Sequence, residues 1–584
     1  MDERVVFSVV LRERSRRQLE KRAEDVSMPD EKDFGSHLDW KALSELVVLD
    51  DLEIDAAQGW FRKQGMTVLT DGLQSAQHFL VEATGPQIQE AFGMGREQWN
   101  QCAADVRRNA RLIPAELAGT VVRISGVLPD PVDRPSQTPH PLTSAEGDTP
   151  STPVRPATLA CSPEPRGGIT PAQIRSLYQF PDPTESDGAG ETIALVMFEG
   201  EFDRTSFDVF WAEHGGGRTP PDIAVVEVGP PGRPRRQDAI SNLEVAQSVQ
   251  WAAAMAPAAK IVIYFVDPGT FADPWAAFLM EIVADELHTP TVAAISWVNP
   301  ERDYYRTFGH RVIVGALAQA ACRGISIVAA AGNWGAFDGK PRYEKKGKYV
   351  VNAAWPHGVF PAVEEMVLGV GGTMVTALDP LTEIAWSGPP ALHLQKLLAT
   401  KSMAGSGGFS DEVPQPVWQA RIRGAYSRGT GSPAVVAYGR GFPDVALMAA
   451  GPAVQPSPTR GELTSQGYQA VTGGQWVDYA GGTSIGAPIW AAILALVNQA
   501  RRDANLGRVG WVNPALYRVA SPDPGPFRPV LNGNADVELW AVNDVDQAVP
   551  YHLDGYRCLP SWDPVTGLGV PNVTGILDAF TRTT

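Results

Sequence analysis

The chain has 584 residues, 44% of them apolar, and a formal net charge of −17. That length exceeds one compact domain and that apolar fraction supplies a large core, so two or more packed domains are expected. The acidic balance argues against nucleic acid or an anionic membrane as the main partner, because both reward basic surfaces.

The opening, MDERVVFSVVLRERSRR, has an apolar stretch too short and too interrupted for a signal peptide. No run of the length a membrane helix needs is visible in the chain. The basic run from Arg12 to Arg22 is broken by Glu13 and Glu20 and reads as a solvated face. Residues 1–125 read as a small α+β domain of ferredoxin-like kind. Strands are predicted at 5–10, 66–69, 78–84 and 121–125, with an amphipathic helix at 51–64 and another at 86–92 that carries Pro86 in its first turn. Residues 126–168 hold many prolines and no aromatic residue, so they cannot pack a core and read as an exposed linker, where proteases cut.

Beyond Thr170 short apolar runs of buried-strand type (TIALVMF, KIVIYF, VAAISW, ISIVAAA) alternate with helical segments at 243–255 and 308–322. That is the pattern of a parallel α/β sheet with helices on both faces. Residues 389–404 read as a surface insertion. Cys102, Cys161, Cys322 and Cys558 lie far apart and form neither a CxxC pair nor a dense disulfide framework.

The sharpest local signal is GGTSIGAP at 481–488, followed by a long apolar helical run. A serine at a helix N-terminus sits where free N–H groups and the helix dipole favour developing negative charge. The alternative is that Thr483 or Ser484 merely caps that helix. A nucleophilic serine needs a base, and none of the nine histidines lies at the start of an HGT-type helix. All nine read as surface or core residues, so the base should be a carboxylate.

Several motifs then agree in order and spacing: ITPAQIRSLYQFP, GSGGFSDEVPQPVWQ, GFPDVAL, GGTSIGAP and WDPVTGLGVP. With the N-terminal domain, they resemble the sedolisin family of serine-carboxyl peptidases over nearly the whole chain outside the linker and the insertion. The resemblance implies a subtilisin-like fold, an inhibitory prodomain, a Glu–Asp–Ser triad, an oxyanion-hole aspartate and a C-terminal calcium loop. Counting back from the A-P-x-A-K-I segment at 256–261 places Glu244 on the triad glutamate and Ser248 where the aspartate should stand, one helical turn on. Ser241 to Glu244 also fits a capping box, which is the alternative reading of Glu244. Asn333 falls on the oxyanion aspartate, and a carboxamide donates without first being protonated; a buried structural asparagine capping a turn is the alternative reading. In the calcium loop Val530, Leu559 and Ser561 could offer carbonyls and Asp563 remains, but Pro529 replaces a carboxylate that calcium would use.

Two functions follow as expectations. One is an endopeptidase in which Ser484 attacks, Glu244 takes its proton, Asn333 steadies the oxyanion and Ser248 orients Glu244 by a hydrogen bond. The other is a pseudopeptidase that binds a peptide or protein partner in the same cleft without cutting it. The expected partners are a peptide or protein substrate and the chain's own prodomain.

Overall fold

Apolar residues at both odd and even positions of the first strand bury both of its faces. In β1 (Arg4–Leu11) Val5, Phe7 and Val9 join a core with Phe61, Phe79 and Trp99, while Val10 joins a second core that continues into the C-terminal part of the chain. β3 (His78–Thr84) divides its residues the same way, with Phe79, Val81 and Ala83 inward and Leu80 in the second core. β2 (Thr67–Leu69) and β4 (Val121–Ser125) complete an antiparallel sheet of order β2-β3-β1-β4. The computed structural model describes residues 4–126 apart from 104. It also describes 167–582 apart from 231–234, 272, 338–340, 345–347, 352–355, 390–401, 423–424, 430–434, 437, 452, 455–463, 466, 522–524 and 543–547. The linker at 127–166 and most of the 389–404 insertion lie outside the described residues.

Helix α1 (Arg16–Ser27) carries the basic run that the sequence reads as a solvated face. Leu19, Ala23 and Val26 recur at helical spacing and are buried, while Arg16–Glu20 and Lys21–Asp25 pair one turn apart on the outer side. Helices α2 (Trp40–Val47), α3 (Asp51–Lys63) and α4 (Gly85–Phe92) follow, the last opened by a Thr84–Gln87 capping box with Pro86 in its first turn.

The larger sheet comprises β5 (Thr192–Met197), β6 (Ile223–Val228), β7 (Lys260–Val266), β8 (Val292–Ile295), β9 (Ser326–Ala330), β10 (Val367–Leu378), β11 (Leu381–Ala385) and β12 (Val445–Ala450). Its order is β11-β10-β9-β8-β5-β7-β6, with β12 joined to β10, and every pair except β10–β11 is parallel. The central strands are buried on both faces, hence their unbroken apolar sequences. Helix α5 (Ala239–Met255) packs on α8 (Thr483–Asp503), and α6 (Pro274–Ala284) on α7 (Arg311–Arg323).

Helix α8 corrects one expectation. Its 21 residues are long and apolar enough to cross a membrane, although 94% of its apolar stretch is buried inside the protein. A helix that is apolar all round is the mark of a core helix as much as of a membrane span.

The two parts of the chain meet through specific bonds. His78 Nε2 lies 2.7 Å from Glu281 Oε1 on α6, and the Gln74 N–H donates to Glu281 Oε2 at 2.6 Å. Arg123 donates to the Thr307 and Phe308 carbonyls, each at 2.7 Å. The Leu38 N–H donates to the Cys322 carbonyl at 2.8 Å.

Candidate active site

The turn before α8 is pinned group by group. The Gly481 N–H donates to Gln247 Oε1 at 3.2 Å, the Gly482 N–H to the Ala449 carbonyl at 2.9 Å, and the Thr483 N–H to Asn333 Oδ1 at 2.9 Å. Thr483 Oγ1 also donates to Asn333 Oδ1 at 2.9 Å and accepts from the Gly332 N–H at 3.0 Å. Gly482 is the N-cap residue, at φ +78, with no side chain to cap the helix. A Cβ there would also come within 3.0 Å of Asn333 Nδ2. Thr483 and Ser484 are therefore the first two residues of the helix rather than its cap, and the cap is supplied from another element by Asn333.

Ser484 is buried and its Oγ makes no hydrogen bond. Pro488, inside the helix, has no N–H to give the carbonyl four residues earlier, which is that of Ser484. Ser296, just past the end of β8, supplies the missing donor: its Oγ bonds the Ser484 carbonyl at 2.9 Å. Sequence reasoning missed Ser296, whose partner lies 188 residues away.

Helix α5 begins at Ala239, capped by Asp238 Oδ1 accepting from the Ile240 and Ser241 N–H groups at 3.0 and 2.9 Å. The Ser241–Glu244 capping box is thus not formed. Ser241 Oγ instead lies 3.2 Å from both Glu199 Oε2 and Asp238 Oδ1. Glu244 stands on the second turn, buried, and burial pushes its carboxyl up to about 8. The Gln247 amide opposes that rise by favouring the anion, although Gln247 Nε2 completes no hydrogen bond.

Ser248 corrects a second expectation. It lies one turn beyond Glu244 and is buried, but its Oγ makes no hydrogen bond, and neither does Glu244 Oε2. The hydroxyl is one bond from Cβ, whereas a carboxylate in its place would reach further along the helix face. The expected Ser248–Glu244 bond is absent for that reason.

Asn333 follows β9, at the carboxyl end of a parallel strand, where α/β folds place their sites. Because a backbone N–H can only donate, its bond from Thr483 identifies Oδ1 and leaves Nδ2 as the donating end of the carboxamide. Among the described residues no histidine hydrogen-bonds to Ser484, Glu244 or Asn333. The described histidines have other partners, such as Asp285 for His288 and Gln469 for His214.

The C-terminal loop closes on itself. Asp563 Oδ2 accepts from the Leu559 N–H at 3.0 Å, and Oδ1 from the Val565 and Thr566 N–H groups at 2.9 and 2.7 Å. Thr566 Oγ1 lies 3.2 Å from both oxygens. Burial raises the Asp563 carboxyl to about 6. With Pro529 in place of an acid, one carboxylate already engaged by the loop and carbonyls from Val530, Leu559 and Ser561 fall short of the six or more oxygens calcium takes. These residues do not fit a calcium site.

Residues 1–128 match the family model described as "Pro-kumamolisin, activation domain", and residues 241–514 match "Subtilase family". Kumamolisin from Bacillus sp. (strain MN-32) is 31% identical over 479 residues, covering 80% of this chain and 72% of that protein. Tripeptidyl-peptidase 1 of Mus musculus is 23% identical, covering 99% of this chain and 91% of that protein. Among solved structures, Pseudomonas sedolisin complexed with two molecules of pseudo-iodotyrostatin aligns with a TM-score of 0.51 at 20% identity, over 70% of this chain and 97% of that one. Its likeness extends to the subtilisin-like fold. The chain belongs to the sedolisin family of serine-carboxyl peptidases, and it carries the family's activation domain ahead of the peptidase fold.

Proposed function

We propose that Ser484 is the nucleophile of this peptidase, Glu244 its general base and Asn333 its oxyanion donor, with Ser248 standing where a second carboxylate is missing. The observation that carries this reading is the seating of Asn333. Its Oδ1 is fixed by the first residue of the serine helix, so its Nδ2 is held beside the helix N-terminus where an oxyanion would form. Ser484 Oγ attacks the scissile carbonyl carbon while its proton passes to Glu244 in its ionised form, which becomes populated as pH approaches 8. The developing oxyanion accepts from Asn333 Nδ2, which donates at any pH. Glu244 returns the proton to the leaving amine, and water then releases the acyl group by the same route.

Internal peptide bonds are the substrate class on this reading. Residues 1–125 act as the removable prodomain, 126–168 as the linker that is cut, and 169–584 as the peptidase. The Asp563 loop holds its shape without a cation. A fluorophosphonate should label the wild-type protein at Ser484, and Ser484→Ala should abolish labelling and lower peptide hydrolysis by about 10⁴-fold or more. Labelling that persists in Ser484→Ala would refute the assignment.

A further inference from the structure

We propose that Gln247 is a positioning residue of this site, tying the helix that carries Glu244 to the turn that presents Ser484 and giving Glu244 the directional partner that Ser248 does not provide. This rests on the assignment of Ser484 and Glu244 above. Gln247 is buried at 1% exposure, three residues beyond Glu244 on α5 and therefore on the adjoining part of the same helix surface.

Its two amide atoms are distinguishable. The Gly481 N–H can only donate, so the atom 3.2 Å from it is Oε1, and Nε2 is the end left to donate elsewhere. Nε2 is buried without a partner, and so is Glu244 Oε2 one turn back. A buried donor and a buried acceptor on neighbouring positions of one helix are complementary, and the proposed bond is the one between them. Hydrogen bonds of catalytic groups are commonly long before substrate binds and tighten in the complex. The lowering influence of Gln247 on the Glu244 carboxyl agrees with this placement.

Gln247 also does for one end of the serine turn what Asn333 does for the other. Three consecutive N–H groups, those of Gly481, Gly482 and Thr483, go to Gln247 Oε1, the Ala449 carbonyl and Asn333 Oδ1. Two of the three acceptors are carboxamides, one from the helix of the base and one from the oxyanion position. Gln247 thereby adds a directional tie between base and nucleophile to the packing of α5 on α8.

The test uses the processed enzyme, with peptide hydrolysis and fluorophosphonate labelling followed across pH. Gln247→Met keeps the shape and removes both polar contacts. It should lower kcat by about 10- to 100-fold, leave KM within about twofold, and move the acid limb of the pH profile upward. Gln247→Glu keeps the acceptor for Gly481 but replaces the donor facing Glu244 with an acid. It should keep the fold and displace the pH profile by about half a unit or more, because two neighbouring carboxyls cannot ionise independently. A folded Gln247→Met with wild-type kcat and pH profile would overturn the proposal. If Gln247→Met does not fold, an unchanged profile in Gln247→Glu overturns it instead. Ser484→Ala, run in parallel, separates the outcomes: activity surviving there condemns the site assignment itself, not the role of Gln247.

Discussion

Pro488 deprives its helix of a backbone bond at Ser484, the proposed nucleophile, and Ser296, just past the end of β8, repairs the loss. Ser296→Ala should leave the buried Ser484 carbonyl without a donor and destabilise the protein by about 1–3 kcal/mol, read from denaturant midpoints. A loss near zero would mean that another donor satisfies that carbonyl. Glu244 carries the opposite kind of tension. Its folded carboxyl sits near 8 against an ordinary 4.5, so between those values the folded state holds a proton that the unfolded state releases. Stability therefore falls as pH rises through that window, by at most about 5 kcal/mol at roughly 1.4 kcal/mol per unit. Glu244→Gln removes the ionisation, so its thermal advantage over wild type should be small near pH 4.5 and grow toward pH 8, while activity is lost. A constant difference in Tm across that range would contradict the buried, proton-holding carboxyl. Ser484, Glu244 and Asn333 were readable in the sequence as candidates because short motifs and fixed spacing mark them. Ser296 and Gln247 were not, since their partners lie 188 and 234 residues away. The capping box of Glu244 failed because Asp238 takes the helix start first.

At the scale of elements, strands buried on both faces were legible as continuous apolar runs, and β3 and β4 fall on the expected residues. β6 escaped because it is an edge strand with a half-exposed pattern, and α1 because its charged residues obscure an apolar stripe of three side chains. What alternation could not reveal was that the second face of the small sheet is also covered. On β4, Arg123 reaches the Thr307 and Phe308 carbonyls while its neighbour Ile124 enters the small domain's own core. These adjacent residues should behave differently. Ile124→Ala should cost about 2–5 kcal/mol within the small domain and loosen β1, whose Val9 pairs with residue 124. Arg123→Ala should leave β1 protected from hydrogen exchange but expose the amides of the short helix Glu301–Thr307. Equal loss of β1 protection in both variants would show that the sheet and its docking are one cooperative unit.

For the whole molecule, one contact between the two domains is a histidine that burial holds neutral. The His37 ring lies against Gly324 and Gly510, where any Cβ would approach within 2.5 and 2.7 Å, and its Nε2 donates to the Arg508 carbonyl at 2.9 Å. The other ring nitrogen, Nδ1, is buried and makes no hydrogen bond; the Ala321 backbone favours a second proton, but burial outweighs it. Burial first, then the nearby positive charges of Arg508 and Arg501, push the imidazolium down to about 4 from its ordinary 6.5. When the domains separate, the ring regains water and its ordinary affinity for protons. Docking is therefore at full strength above pH 6.5 and weakens as pH falls toward 4, by up to about 3 kcal/mol at roughly 1.4 kcal/mol per unit. Other pairs cross the same boundary, His78–Glu281 and Asp30–Arg518 among them, so His37 sets part of the acid response and not all of it. With the 126–168 linker cut by an added protease in the Ser484→Ala chain, the two fragments should co-elute at pH 8 and separate increasingly between pH 6 and 4. His37→Gln keeps a donor for the Arg508 carbonyl but cannot gain a proton, so its fragments should stay together to lower pH. If the wild-type and His37→Gln fragments part at the same pH, the acid sensitivity of docking lies elsewhere in the interface.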